Sequence, residues 1–120
     1  DPRPRTRREL HELRIRLKIC RYVLETVEDI SPQDTATLGR RLRDAQQNLG
    51  AQRDADAAVD WLRSDPARAA RGRAALKLLQ RSVRKLDRDL DPTLKRLARA
   101  GQRWDHAITQ LIERDLKGPA

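Results

Sequence analysis

Apolar residues recur every three or four positions along most of the chain, which is the spacing of one face of an α-helix. In the third of four such segments the recurring residues are Leu76, Leu79, Val83, Leu86 and Leu90. In the fourth they are Leu94, Leu97, Trp104, Ile108, Leu111 and Ile112. No segment alternates with period two, as a half-buried strand would. The pattern therefore predicts an all-α chain.

Proline preceded by Ser or Asp marks three expected helix starts, at Ser31-Pro32, Asp65-Pro66 and Asp91-Pro92. Each pair combines an N-cap residue with a proline suited to the first helical position. These signals predict helices at about 7–30, 32–63, 66–90 and 92–116. Residues 1–6 are expected to be a disordered basic tail. Short connections favour antiparallel neighbours, so the prediction for residues 7–117 is an antiparallel four-helix bundle.

The second helix changes phase in its middle. The apolar residues before Gly50 share one face, and they are Leu38, Leu42, Ala45 and Leu49. The apolar residues after Gly50, Val59 and Leu62, lie on a different face. A kink near Gly50 would reconcile the two halves.

The charge balance indicates a polyanionic partner. The chain has 27 Lys and Arg against 18 Asp and Glu, a formal net charge of +9. A field of one sign concentrates ligands of the other, and the candidates are nucleic acid, an anionic membrane surface and inorganic polyphosphate. A merely solubilising surface is the alternative. Three aromatic residues are too few for a single-strand stacking platform, whereas duplex binding can use phosphates alone.

The cations of the first helix lie in an unusual place. They form a stripe that also includes Tyr22 and Glu25, and its basic members are Arg7, His11, Arg14, Lys18 and Arg21. On one side of the stripe is the main apolar face, made of Leu10, Leu13, Leu17, Cys20 and Leu24. On the other is a second apolar strip, made of Ile15, Ile19, Val23 and Ile30. Cations held near buried surface need a compensating anion, so the stripe predicts either an anion-binding site or a network of structural ion pairs.

Two further helices add basic residues. The second helix places Arg40, Arg43, Gln47 and Asp54 on one face. Asp54 is expected to orient an arginine through a bidentate pair, and Glu25 is a second supporting acid. The third helix carries a basic face opposite its leucines that includes Lys77 and Arg81. That face is either plain surface or an auxiliary anion-binding patch, and Arg7 is a further auxiliary cation.

No catalytic chemistry is expected. The sequence has two histidines, His11 and His106, and no cluster of His, Cys or carboxylates with metal-ligand spacing. It has no Gly-rich phosphate loop and no nucleophile elbow. The prediction is a binding protein without metal, cofactor or catalytic residue. The single cysteine, Cys20, is expected to pack in the core, and the absence of a long apolar run predicts no membrane span and a cytoplasmic protein.

Residues 10–25, Leu-His-Glu-Leu-Arg-Ile-Arg-Leu-Lys-Ile-Cys-Arg-Tyr-Val-Leu-Glu, resemble the first-helix motif of the CHAD domain family. That motif has a histidine, an arginine three residues later, a lysine four beyond it, then Arg-Tyr and a glutamate. The segment around Gln46, Leu49, Gly50 and Asp54 is similar to the family's second-helix motif. The resemblance implies a helical module that binds inorganic polyphosphate through a basic surface. Its motif residues map here onto His11, Arg14, Lys18, Arg21 and Arg43.

A CHAD domain usually comprises two four-helix halves around a basic channel, and 120 residues suffice for one half. The alternatives are a fragment, a minimal half-domain and a protein that restores the second half by dimerising. The second apolar strip of the first helix favours a homodimer. The resemblance also implies an association with polyphosphate granules. The residues expected to bind polyphosphate are His11, Arg14, Lys18, Arg21, Tyr22, Arg40 and Arg43. The alternatives are an architectural nucleic-acid-binding protein and a helical protein-interaction module with incidental positive charge.

Overall fold

The structure, a computed structural model, describes residues 5–26 and 32–117 of the chain. Within these residues all regular structure is helical: α1 is Arg7–Thr26, α2 is Pro32–Arg63, α3 is Pro66–Arg71 and α4 is Arg73–Lys117. The prediction of an all-α chain is therefore confirmed. The molecule measures 74 × 27 × 21 Å and is an elongated rod. The antiparallel four-helix bundle stays a prediction. Among the described residues, no helix combines the length and the apolar composition that crossing a bilayer requires.

α2 and α4 form the long axis of this rod as an antiparallel pair. Near its middle, Asn48 Nδ2 donates to the Leu86 carbonyl oxygen at 2.8 Å. Further along, Trp104 Nε1 donates to Thr35 Oγ1 at 3.2 Å. An earlier position on α2 thus meets a later one on α4. Because a buried amide without a partner costs about 1–3 kcal/mol, the Asn48 contact also resists a shift of the two helices along each other.

α1 packs along α2, and leucines from three helices meet in one core. The fully buried members of this core are Leu17, Leu24, Leu42, Ala45, Leu49 and Leu90. Half-buried residues surround them, namely Leu10, Leu13, Leu38, Leu94, Leu97 and Trp104. Cys20 is exposed, so the prediction that it packs in the core is wrong. Leu10, Leu17 and Leu24 lie on the face of α1 that packs against α2. Cys20 lies about 60° around the helix axis from that face.

The start of the chain also reaches α4. Arg5 forms a 2.7 Å ion pair with Asp91. Arg5 falls in the stretch predicted to be a disordered tail, whose residues 1–4 lie outside the described residues.

α2 is one continuous helix through Gly50. Its buried residues follow one another mostly at intervals of three or four, and they are Thr35, Leu42, Ala45, Asn48, Leu49, Gln52, Ala55, Val59 and Leu62. Asn48 and Gln52, which hydrogen-bond to each other at 2.8 Å, carry the buried stripe past the point where the apolar residues alone change phase. A kink near Gly50 stays a prediction, but the buried stripe does not require one.

The helix start at Asp65-Pro66 is confirmed. The Asp65 carboxylate accepts a hydrogen bond from the Ala67 backbone N–H at 2.9 Å, and Pro66 is the first helical residue. The predicted helix over 66–90 is nevertheless interrupted, because α3 ends before Gly72. A Cβ atom at Gly72 would lie 2.7 Å from Leu62 Cδ2. Glycine therefore lets the corner between α3 and α4 pack closely against the end of α2.

α4 runs through Pro92, so the helix start predicted at Asp91-Pro92 is wrong. The buried stripe of α4 crosses this position without a gap, at Leu90, Thr93 and Ala100. Pro92 itself is exposed, so the Arg88 carbonyl that lacks an N–H partner lies on the solvent side. An interior proline costs about 3 kcal/mol, whereas each buried leucine contributes about 1.5–3 kcal/mol. Packing of several leucines against α2 therefore outweighs the proline.

Replacement of Pro92 by alanine tests the continuity of α4. The variant regains a backbone N–H for the Arg88 carbonyl, so its free energy of unfolding should rise by about 1–3 kcal/mol. Pro66→Ala is the matched control, because Pro66 begins a helix after the Asp65 cap and a proline is well tolerated there. Denaturant unfolding measures both variants. A loss of stability in Pro92→Ala would contradict a helix that continues through this residue.

Candidate anion-binding site

A groove of about 250 Å³ lies between the first half of α1 and the second half of α2, and we call it the α1–α2 groove. α1 contributes Arg7, Leu10, His11 and Arg14. α2 contributes Leu49, Gln52, Arg53, Asp56, Ala57 and Asp60. The buried Leu49 and the half-buried Leu10 belong to the core beneath, so the groove has an apolar floor and charged sides.

Two polar contacts fix the register of α1 against α2. The Arg7 guanidinium donates two hydrogen bonds to the Asp60 carboxylate, at 2.8 and 3.0 Å. Fourteen residues along α1, Arg21 Nη1 donates to Gln46 Oε1 at 3.4 Å. Gln46 lies fourteen residues before Asp60, so equal steps on the two antiparallel helices separate the contacts.

Two cations lie midway between the Arg7–Asp60 and Arg21–Gln46 contacts. Seven residues inward from either contact, Arg14 lies level with Arg53, and both line the groove. Arg14 is half-buried and Arg53 is exposed. Neither forms an ion pair or a hydrogen bond with any described residue. An anion between two such guanidinium groups would relieve their repulsion and accept hydrogen bonds from both.

The Arg7 end of the groove is compensated by carboxylates. The hydrogen bond from Arg7, together with its charge, holds the pKa of the Asp60 carboxyl below its ordinary value. The same hydrogen bond raises the pKa of Arg7, and Asp56 adds a further attraction. Positive charge without a partner is therefore found at the level of Arg14 and Arg53 rather than at Arg7.

Two of the predicted binding residues, His11 and Arg14, line the groove together with the auxiliary Arg7. Arg53 lines it as well, although the sequence pattern did not select it. A signal for Arg53 does exist in the sequence: Gln46, Arg53 and Asp60 are seven residues apart, the same interval as Arg7, Arg14 and Arg21. That interval becomes informative only when the two helices are known to pair.

The remaining predicted residues of α1 lie beyond the groove. Lys18 is exposed. Arg21 Nε lies 3.6 Å from a carboxylate oxygen of Glu25. The guanidinium carbon of Arg21 is 5.5 Å from the centroid of the Tyr22 ring. Arg21 is thus compensated in part by Glu25, unlike Arg14 and Arg53, whereas Lys18 forms no ion pair or hydrogen bond with a described residue.

The predicted residues of α2 also lie outside the groove. Arg40 and Arg43 are exposed, and Arg40 donates to Thr37 Oγ1 at 3.2 Å. Asp54 is exposed and does not line the groove. The bidentate pair expected of Asp54 is formed instead by Asp60.

The auxiliary residues Lys77 and Arg81 are exposed on α4 and do not line the groove. No group of three or more His, Cys, Asp or Glu that could hold a metal ion is found within the described ranges 5–26 and 32–117. What the groove offers chemically is a pair of guanidinium groups at one level, with His11 beside them.

A family model for the CHAD domain matches residues 1–63, just over half of the chain. The chain belongs to the CHAD domain family. The match takes in both walls of the groove and ends where α2 ends. The CHAD family is associated with polyphosphate binding. No curated protein and no solved structure matches the chain.

Substitution of Arg7 tests the electrostatics of this CHAD domain's groove. In Arg7→Gln the pKa of Asp60 should rise towards its ordinary value, because both the hydrogen bond and the charge are weakened. A depressed folded-state pKa contributes stability at neutral pH that is lost as the pH falls through that pKa. The variant should therefore lose less stability on acidification than the wild type.

Titration of the side-chain carboxyl carbons by NMR measures this effect directly. Asp91 is the internal control, because Arg5 rather than Arg7 lowers its pKa. An unchanged Asp60 titration in Arg7→Gln would show that the pair does not form in solution.

Proposed function

We propose that this CHAD domain binds inorganic polyphosphate without transforming it, and that Arg14 and Arg53 hold one phosphate unit in the α1–α2 groove. The observation that supports the proposal most is that Arg14 and Arg53 line the same groove without a partner among the described residues. The contacts on either side of them place the two residues at the same level of the paired helices. Planar guanidinium groups match phosphate oxygens well, since each can donate two parallel hydrogen bonds.

A linear anion fits this arrangement better than a compact one. The paired positions of α1 and α2, namely Arg7 with Asp60, Arg14 with Arg53 and Arg21 with Gln46, follow one another every seven residues. Seven residues are about 10.5 Å along a helix. His11 lies one turn from Arg14 on one side, and Lys18 lies one turn away on the other. A polymer with a charge on every unit could reach all of these levels at once, whereas a single small anion reaches one.

Several predicted residues then become flanking contacts rather than the centre of the site. Lys18, Arg21, Arg40 and Arg43 would attract the polymer where it leaves the groove, and Tyr22 would cover Arg21. Part of this cluster is already satisfied by Glu25 and Gln46. We therefore assign the largest share of binding to Arg14 and Arg53. The proposed setting is the cytoplasm, at polyphosphate granules.

We also propose that the domain forms a homodimer through the back of α1. The apolar strip there has three members in the described part of the chain, Ile15, Ile19 and Val23, and they are 44%, 56% and 54% exposed. Ile30, the fourth predicted member, lies outside the described residues. Exposed apolar surface commonly marks a partner surface. A twofold contact would use the same strip on both copies and would place two grooves in one assembly.

Charge reversal in the groove tests the binding proposal. Arg14→Glu/Arg53→Glu should weaken polyphosphate binding by about 1–3 kcal/mol for each site. Arg16→Glu/Arg71→Glu is the matched control, because both residues are exposed, outside the groove and without a described partner. It changes the net charge by the same amount. Titration calorimetry with tripolyphosphate, at several salt concentrations, measures both variants.

Equal losses in the two double variants would mean that net charge, and not a site, holds the anion. Duplex DNA serves as the competitor in the same assay. Long-chain polyphosphate should displace DNA readily, and DNA should displace polyphosphate poorly. The reverse order would favour an architectural nucleic-acid-binding protein, and no binding to either polymer at physiological salt would favour a protein-interaction module.

Substitution of the apolar strip tests the dimer. Ile19→Glu should shift the sedimentation coefficient to that of a monomer, because two buried carboxylates would oppose each other near the twofold axis. Ile112→Glu on α4 is the control, since Ile112 is 55% exposed and lies outside the strip. Analytical ultracentrifugation, with and without polyphosphate, reports the outcome. A wild-type protein that is monomeric in both conditions would refute the dimer.

A further inference from the structure

One face of α4 carries a long, uninterrupted row of cations, which we call the α4 rail. At 100° per residue, nine Lys and Arg side chains between residues 73 and 106 fall within about 60° of Arg81. Five of them precede Pro92, and they are Lys77, Arg81, Arg84, Lys85 and Arg88. Four follow it, and they are Lys95, Arg96, Arg99 and Arg103. All nine are exposed.

The rail contains no acid of its own. From residue 73 to residue 106, no Asp or Glu falls within the same angular range, and the nearest acids flank the rail. Of these, Asp91 is already paired with Arg5. Within the rail, Arg96 donates to Thr93 Oγ1 at 3.4 Å, and the other eight cations form no ion pair or hydrogen bond with any described residue. An ordinary solvated helix face mixes both signs, and this one does not.

The rail exists because α4 continues through Pro92. Had a new helix begun there, the cations on either side would belong to two elements with different directions. As one helix, they follow a single line of 27 residues from Lys77 to Arg103, or about 40 Å. Pro92 lies on the rail face and is exposed, so it interrupts neither the burial of the opposite face nor the row of cations.

The rail and the α1–α2 groove are separate surfaces. The rail lies on the side of α4 opposite the stripe that packs against α2, and none of its residues lines the groove. It also lies outside residues 1–63, which the CHAD family model matches. A short anion held by Arg14 and Arg53 therefore leaves the rail free.

We propose that the α4 rail is a second polyphosphate-binding surface, and that the domain cross-links long polyphosphate chains by holding one stretch in the groove and another on the rail. The proposal rests on the proposed function for the identity of the polymer. The described part of the rail face has no aromatic side chain on which a base could stack. The phosphates of a duplex wind away from any single line, whereas a flexible polyanion with a charge on every unit can follow the whole rail.

Because the rail cations are exposed, they are expected to bind a polyanion through many weak contacts. Each rail cation is exposed and therefore screened by salt, so a single contact is weak and many must act together. Long chains meet that condition and tripolyphosphate does not. Two independent surfaces on one domain also raise the effective concentration of a bound chain at the second surface, which increases avidity without any new contact.

The test compares three double variants of the full chain. Arg81→Glu/Arg99→Glu reverses the rail on either side of Pro92, at two residues that share the same facial angle. Arg14→Glu/Arg53→Glu reverses the groove. Arg16→Glu/Arg71→Glu is the control with an equal change of net charge. Circular dichroism and thermal unfolding confirm that each variant is folded. The probes are tripolyphosphate, long-chain polyphosphate and duplex DNA, and light scattering reports cross-linking.

The rail variant should bind tripolyphosphate as the control variant does. It should bind long-chain polyphosphate roughly 10- to 100-fold more weakly than the control, and it should scatter less light with that polymer than the control does. The groove variant should lose tripolyphosphate binding while retaining a salt-sensitive interaction with long chains. Together these results would support two surfaces.

Each other outcome is decisive in a different way. A rail variant that binds and cross-links long chains as the control does would overturn the rail and leave the groove standing. A groove variant that still binds tripolyphosphate would instead overturn the proposed function while leaving the rail untouched. A rail variant that loses only DNA binding would assign the surface to nucleic acid and refute the present proposal.

Discussion

The packing of α2 against two helices at once is the constraint on which the rest of the structure depends. Ala45 is completely buried and Leu42 almost so, because α1 covers one flank of α2 and α4 covers another. The amide of Asn48 bonds to the Leu86 carbonyl within this interface. A shift by one turn would leave that amide buried without a partner, so the interface has one preferred register. Both cationic surfaces take their positions from it.

In the α1–α2 groove, burial of leucines outweighs the repulsion between the two cations. Two exposed or half-exposed cations at the same level repel by an amount on the order of 1 kcal/mol or less in water. Each leucine buried between α1 and α2 contributes about 1.5–3 kcal/mol, and Leu17, Leu24 and Leu49 are all buried there. The apolar interface therefore holds Arg14 opposite Arg53 in spite of their charge. The proposed anion site would therefore result from packing that does not depend on the anion.

The two cationic surfaces differ in character for the same reason. In the groove, helix pairing brings cations from two elements together and compensates one end through Arg7 and Asp60. On α4 the cations belong to one helix and face only solvent, opposite the leucines that bind α2. As proposed, the half-buried Arg14 and the exposed Arg53 would together hold an individual phosphate unit, whereas a hydrated row responds to total charge. If both proposals hold, the length of the polyanion is the variable that distinguishes the two surfaces.

Local signals in the sequence determined the helical class, the bounds of α2, the cap at Asp65 and the basic stripe of α1. They could not determine whether Pro92 begins a helix, because Asp91-Pro92 and Asp65-Pro66 look alike within one turn. Burial of Leu90 and its neighbours against α2 decided the matter. Nor could they select Arg53 over Asp54, since only the pairing with α1 shows which flank of α2 faces the groove. Caps and periodicity act over a few residues, but register and the choice of covered face depend on a partner helix that is distant in sequence.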